Sequence, residues 1–135
     1  MKSESPIRSL ATTKKVGDIA EDAALEFLQD KGLRLVQRNY RTPGRGGGEI
    51  DLIMRAPDGT TVFVEVRQRK SARHGGAAAS VMAPKQRRIV FAARHYLMRF
   101  ASAPPCRFDV VLVQGADDRR REATLEWLPA AFDAS

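Results

Sequence analysis

Residues 48–67 read GEIDLIMRAPDGTTVFVEVR, and this stretch decides the fold. Two apolar runs, Glu49 to Arg55 and Thr61 to Arg69, flank Pro57-Asp58-Gly59. A Pro-Asp-Gly cluster between such runs is a turn signal, so the stretch is expected to be an antiparallel hairpin. Side chains alternate across a strand. Glu49, Asp51, Ile53 and Arg55 therefore share one face of the first strand. Phe63, Glu65, Arg67 and Arg69 share one face of the second. Register decides whether the two sets meet. A two-residue Asp58-Gly59 loop would put Asp51 and Glu65 on opposite faces, and an odd-length loop would set Asp51 beside Glu65 and Ile53 beside Phe63. The odd loop is expected, because each face then keeps one character. The two carboxylates would start about 5 Å apart.

Upstream of the hairpin, Val16, Ile19, Ala20, Ala23 and Phe27 recur at helical spacing, which predicts a helix from about Thr13 to Lys31 with Gly32 as its stop. Leu33 to Tyr40 reads as a strand, followed by the breaker cluster Thr42 to Gly48. Downstream, Ala72 to Ala79 is small and Gly-rich, which reads as a flexible loop. Pro84 suits the first turn of a second helix reaching about Phe100. Its buried stripe would be Ile89, Ala92, Ala93, Tyr96, Leu97 and Phe100, and Ala103-Pro104-Pro105 ends it. Phe108 to Gln114 is an apolar strand expected to be buried on both faces. A turn over Gly115 to Arg121 and a last strand from Ala123 to Leu128 complete the chain. The order α-β-β-β-α-β-β implies an α/β fold, a mixed central β-sheet flanked by helices. The strand–helix–strand unit from 61 to 114 is expected to be a right-handed parallel crossover. Residues 1–12 read as a loose tail and 13–135 as one domain.

Two carboxylates set side by side repel each other, and one holds its proton more tightly unless a cation sits between them. Ile53 and Phe63 flank them and limit screening by water. Such a pair is costly for folding and useful for holding Mg²⁺ or Mn²⁺, hard cations that prefer oxygen ligands. Glu21, on the first helix beside its apolar stripe, could reach the same site. The structural alternative is that Asp51 is solvated and Glu65 pairs with a nearby arginine.

The chain has 135 residues, with 23 Lys and Arg against 16 Asp and Glu, for a net charge of +7 and a pI near 10.2. Its 43% apolar content fits a globular core and excludes wholesale disorder. The one cysteine, Cys106, excludes an internal disulfide framework; ahead of an apolar strand, it reads as core packing. No apolar run approaches a membrane span, and Met1 to Lys15 lacks the apolar core of a secretory signal, so a soluble, cytoplasmic chain is expected. Between Glu65 and Asp109 there is no acid, while Arg67, Arg69, Lys70, Arg73, Lys85, Arg87, Arg88, Arg94, Arg99 and Arg107 lie there. A basic segment next to an acidic one suits phosphates held near a metal, although it also describes a solvated charged face. Gly44 to Gly48 precedes a strand and lacks Gly-Lys-Ser/Thr, which excludes a Walker or Rossmann phosphate loop. His74 and His95 have no ligand partner in sequence, and Trp127 reads as packing. Asp109 beside Arg107 reads as a structural ion pair. Tyr40 with Arg41 reads as either packing or substrate contact.

Gly17-Asp18-Ile19-Ala20-Glu21, Asn39-Tyr40-Arg41, Gly48 to Ile53, Val62 to Arg67, Lys85 with Arg88-Ile89, and Arg107 to Val111 together resemble the YraN-like family of small bacterial proteins, over residues of about 15 to 128. The resemblance implies a restriction-endonuclease-like core of the PD-(D/E)-x-K type, related to archaeal Holliday-junction resolvases. It also implies that Asp51 and Glu65 are the metal-binding acids and that Glu21 is the helix-borne acid. The family usually carries Lys two residues after the second acid, where this chain has Arg67. Arginine keeps its proton and cannot act as a base, but it clamps phosphate oxygens well. Lys85 could supply the ammonium, whereas Lys70 points to the opposite face. The expected function is a metal-dependent endonuclease acting on DNA, branched or structured forms included. Asp51 and Glu65 would hold Mg²⁺ or Mn²⁺, Glu21 would assist, and Arg67 would bind the scissile phosphate. Arg69, Lys85, Arg87 and Arg88 would hold the nucleic-acid backbone. The alternatives are a nucleic-acid-binding protein whose nuclease site is degenerate, and a basic member of a protein complex. A homodimer is left open.

Overall fold

The computed structural model describes residues 12–69, 81–115 and 123–134. The expected tail before residue 12, the Gly-rich loop at 72–79, the turn at 116–121, Lys70 and His74 lie outside the described residues.

Helix α1 spans Thr12–Asp30. Gly32, at φ 98°, ends it in a left-handed turn. The Gly32 N–H donates to Gln29 O and the Leu33 N–H to Leu28 O, the two bonds that close a helix on a glycine. Leu28 and Leu33 are both buried in one cluster, so the turn also aims the next segment at the core. Strands β1 (Arg34–Arg41), β2 (Glu49–Arg55) and β3 (Thr61–Gln68) follow. Then come helix α2 (Ala83–Leu97) and strands β4 (Cys106–Gln114) and β5 (Thr124–Phe132). The sheet order is β1-β2-β3-β4-β5, with β3 and β4 parallel and the other neighbours antiparallel. This is the expected α/β fold with a mixed sheet in the order α-β-β-β-α-β-β.

The hairpin has the odd-loop register. Ile53 lies opposite Phe63 and Arg55 opposite Thr61. The loop closes through the Ala56 N–H to Thr60 O bond at 2.9 Å, and Gly59 takes φ 94°. Alternation then sorts the core into two layers. Leu52, Met54, Val62, Val64, Val111 and Val113 meet Ala20, Ala24 and Leu28 of α1. Ile53, Phe63, Val110 and Leu112 meet Ile89, Ala92, Ala93 and Tyr96 of α2. The two helices therefore cover opposite faces, and β4 is buried from Phe108 to Val113 as expected.

Three expectations are corrected. Helix α2 stops at Leu97, because Arg99 and Phe100 donate to carbonyls three residues back and tighten the chain into a turn. Strand β5 runs on past Pro129 to Phe132 instead of ending at Leu128. Proline is tolerated on an edge strand. Opposite a register shift, Asp109 accepts the Ala130 N–H at 2.9 Å, with Ala130 at φ 50°. Cys106 is exposed at the start of β4 and not packed in the core. Three packing readings hold: Tyr40 is buried, Trp127 packs edge-on against Phe27, and Arg107 pairs with Asp109 at 3.0 Å. His95 lies exposed on α2, with its Nδ1 against the Tyr40 hydroxyl.

Candidate metal and nucleic-acid site

The pairing of β2 with β3 runs from Arg55/Thr61 to Leu52/Val64 and stops there. Beyond it, the Val66 N–H turns toward β2 and donates to Asp51 Oδ2 at 2.8 Å. A side-chain carboxylate thus takes a donor that the backbone ladder leaves over. Alternation also breaks at this point. Ile50 joins Ile53 in the α2-side cluster, where strict alternation would send it to the other face with Leu52. Asp51 consequently sits at the fork where the two strands part.

Glu65 meets it there. Its side chain lies on the α2 side of β3 and is 7% exposed. The two carboxyl groups are within hydrogen-bonding reach, so a proton kept on Glu65 is donated to Asp51. Burial first, and the Asp51 charge second, push the Glu65 carboxyl from its ordinary 4.5 up to about 8, against the pull of Lys85 and Arg67. Burial raises Asp51 too, although the Val66 N–H and Lys85 oppose the rise.

Helix α2 delivers the cation. Lys85 lies in its first turn, with Nζ 3.6 Å from Glu65 Oε2. The helix is seated there by a contact absent from the sequence-based expectations. The carbonyl of Arg88 lies so close over Gly48 that a Cβ on that residue would fall on the oxygen. The Thr42 N–H donates to Gly48 O and the Gly48 N–H to Thr42 Oγ1, which draws the 42–48 loop closed beneath the helix. The one available signal was a glycine directly before a strand that carries an acid.

The remaining expected residues divide. Arg67 shares the face of Glu65 and lowers its proton affinity, while its own Nε is buried with no hydrogen-bond partner among the described residues. Arg87 and Arg88 are exposed on α2, and Arg88 lines an open pocket with Arg41 and the Gly44–Gly48 backbone. Arg69, largely buried, pairs with Glu126 at 3.2 Å. Glu21 does not join the acid pair. Arg38 holds it at 3.3 Å and holds Asp22 at 2.8 Å. Burial and then the Asp51 charge raise Glu21, so it senses the site from the α1 side. Among the described residues, no three Asp, Glu, His or Cys side chains lie close enough to share a metal ion. A buried and a half-buried carboxyl group that share a proton, with oxygen as the only donor, nevertheless fit Mg²⁺ or Mn²⁺. Mg²⁺ commonly takes one or two protein carboxylates and completes its shell with water and phosphate oxygens.

Comparison with known proteins places the chain in a group. Residues 20–113 match the model of the uncharacterised protein family UPF0102. A UPF0102 protein of Polaromonas naphthalenivorans (strain CJ2) is 72% identical over 126 residues, covering 92% of this chain and 82% of the relative. One from Polaromonas sp. (strain JS666) is 70% identical over 92% of this chain and 85% of its own length. One from Methylibium petroleiphilum is 60% identical over 93% of this chain and 100% of the relative.

Proposed function

The chain belongs to the uncharacterised protein family UPF0102, and from its Asp51–Glu65 pair we propose that it is a metal-dependent endonuclease acting on DNA, branched or otherwise structured forms included. The observation that carries this reading is a carboxyl pair, Glu65 buried and Asp51 half-buried, set at a strand fork and facing a basic helix. A structural role gives no reason to set two carboxyl groups together where one of them must keep its proton up to about pH 8. A cation held between phosphate and protein does.

Asp51 and Glu65 would hold the cation. When bound, it would supply Lewis acidity toward a phosphate oxygen and lower the pKa of a water molecule. The chain's own groups do the rest. Glu65 must give up the proton it shares with Asp51 before the pair can serve, so metal binding releases protons to solvent. The Val66 N–H fixes one oxygen of Asp51 and leaves the other for coordination. Arg67, on the same strand face as Glu65, offers a planar guanidinium to the scissile phosphate. Arg87 and Arg88 stand exposed on α2 for flanking phosphates. Glu21, pinned by Arg38, acts at most through water.

Two measurements test the reading. Mn²⁺ should raise the melting temperature of the wild type, by mass action on the folded state, and Asp51→Asn should lose that rise. Mg²⁺-dependent cleavage should appear on at least one substrate of a panel of single-stranded, duplex, flap and four-way DNA. Equal Mn²⁺ shifts in wild type and Asp51→Asn would remove the shared site. A full metal shift and salt-dependent DNA binding without any cleavage would favour the non-cutting nucleic-acid-binding alternative.

A further inference from the structure

We infer that Lys85, carried on helix α2, is the catalytic ammonium of this site, taking over the part that a lysine at position 67 would play and leaving Arg67 as a phosphate clamp. The inference rests on the nuclease reading and adds to it a division of labour between two cations.

Three observations carry it. The Lys85 ammonium lies 3.6 Å from Glu65 Oε2, so it already stands at the acid pair. It reaches the pair from a helix on one face of the sheet, whereas Arg67 extends from the strand of Glu65 itself. The two cations therefore flank Glu65 from different elements. Finally, the Lys85 side chain is 30% exposed while Glu65 is 7% exposed, so the ammonium sits at the mouth of the site and the carboxylate at its floor.

Charge makes the arrangement chemically directional. Without metal, the ammonium faces the single negative charge that Asp51 and Glu65 share. A divalent cation held by Asp51 and Glu65 would repel that ammonium and free it from Glu65. The nearest remaining anion for Lys85 would then be the substrate phosphate. A flexible stem lets Lys85 turn to it, and a compact ammonium places a point charge on a phosphate oxygen. Arg67 suits the other task, because its planar fork grips two oxygens at once. The seat of α2 on Gly48 fixes where the Lys85 stem begins.

The test uses the full chain, with Lys85→Met, Arg67→Lys and the double variant. Lys85→Met should slow single-turnover Mg²⁺-dependent cleavage by about 10²–10⁴-fold, the usual cost of a well-placed catalytic group. It should keep the Mn²⁺-induced rise in melting temperature. It should lose most of the additional rise that thymidine 5′-monophosphate gives in the presence of Mn²⁺. Arg67→Lys alone should gain little, but in the Lys85→Met background it should restore part of the lost rate. Lys85→Gln serves in place of Lys85→Met if the methionine variant melts early without metal. The outcomes separate cleanly. If Mn²⁺ leaves the wild type unmoved and nothing is cut, the nuclease reading falls and takes this inference with it. If the metal shift stands but Lys85→Met cuts DNA and takes the mononucleotide like wild type, Lys85 is not the catalytic ammonium and the nuclease reading survives. If the metal shift stands and cutting is absent from wild type, or appears only with Arg67→Lys, the site lacks its lysine and the inference is overturned.

Discussion

At the scale of the residue, Glu65 has the sharpest consequences. Its carboxyl holds a proton up to about pH 8 in the folded protein, against an ordinary 4.5. Between those values the native state binds a proton that the unfolded chain has released. Stability therefore falls as pH rises across that window, by at most about 1.4 kcal/mol per pH unit for one proton. Below the window both states are protonated and the effect vanishes. Glu65→Gln should flatten this dependence and leave the metal-free protein more stable than wild type at pH 8. Urea unfolding at pH 5, 6.5 and 8 checks it, and a Glu65→Gln protein that keeps the wild-type slope would falsify the shared proton. The meeting of Asp51 and Glu65 was legible, because parity along two strands and an odd loop determine it. Two other facts were not. Arg38 holds Glu21 from another element, a tertiary contact with no local signature. Asp51 takes the Val66 N–H where the ladder stops, which no period predicts.

At the scale of the element, two small features position large pieces. Gly48 lets the Arg88 carbonyl of α2 come down onto the loop before β2. Gly48→Ala must push that helix away and should cost about 1–3 kcal/mol, as overpacking does. It should also weaken cleavage more than DNA binding, since Lys85 rides on the displaced helix. Gly17, inside α1 with open space around it, is the control: Gly17→Ala should stabilise by about 1 kcal/mol through helix propensity. Asp109 does comparable work for β5. It is fully buried and accepts from Arg107 Nε, Trp127 Nε1 and the Ala130 N–H. Asp109→Asn has one acceptor oxygen fewer, leaves a donor unmet, and should cost about 1–3 kcal/mol. The loss should show as a change in Trp127 fluorescence at the sheet edge before global unfolding. The existence and order of helices and strands were legible from periodicity together with turn residues. The far end of β5 was not, because Pro129-Ala130-Ala131 carries no strand pattern and is held by a side chain on another strand.

At the scale of the whole molecule, the fold turns a charge distribution along the chain into one across the sheet. Helix α1 carries two lysines against five acids, and α2 carries Lys85, Arg87, Arg88 and Arg94 with no acid. Because the helices cover opposite faces, an acidic helix lies on one side of the sheet and a basic helix on the other. The acid pair opens toward the basic side, where Lys85 stands. The two charge runs were visible in the sequence, but their opposition needed the sheet between them. A polyanion should approach the α2 face, and each phosphate it leaves there releases condensed counterions. DNA affinity should therefore fall steeply between low and physiological salt. Replacing Arg87 and Arg88 with Ala should flatten the log–log slope by about two units, roughly 0.9 per lost phosphate contact. Both side chains are exposed and form no ion pair among the described residues, so the fold should tolerate the change. Lys31→Ala, at the far end of the acidic helix where Lys31 rests over the Phe27 ring, should leave the slope as it is. Titrations of labelled duplex and four-way DNA at several salt concentrations, with Ca²⁺ in place of Mg²⁺, measure all three slopes. If removing Lys31 flattens the slope as much as removing Arg87 and Arg88, the charge acts through the total alone and α2 is not the docking face.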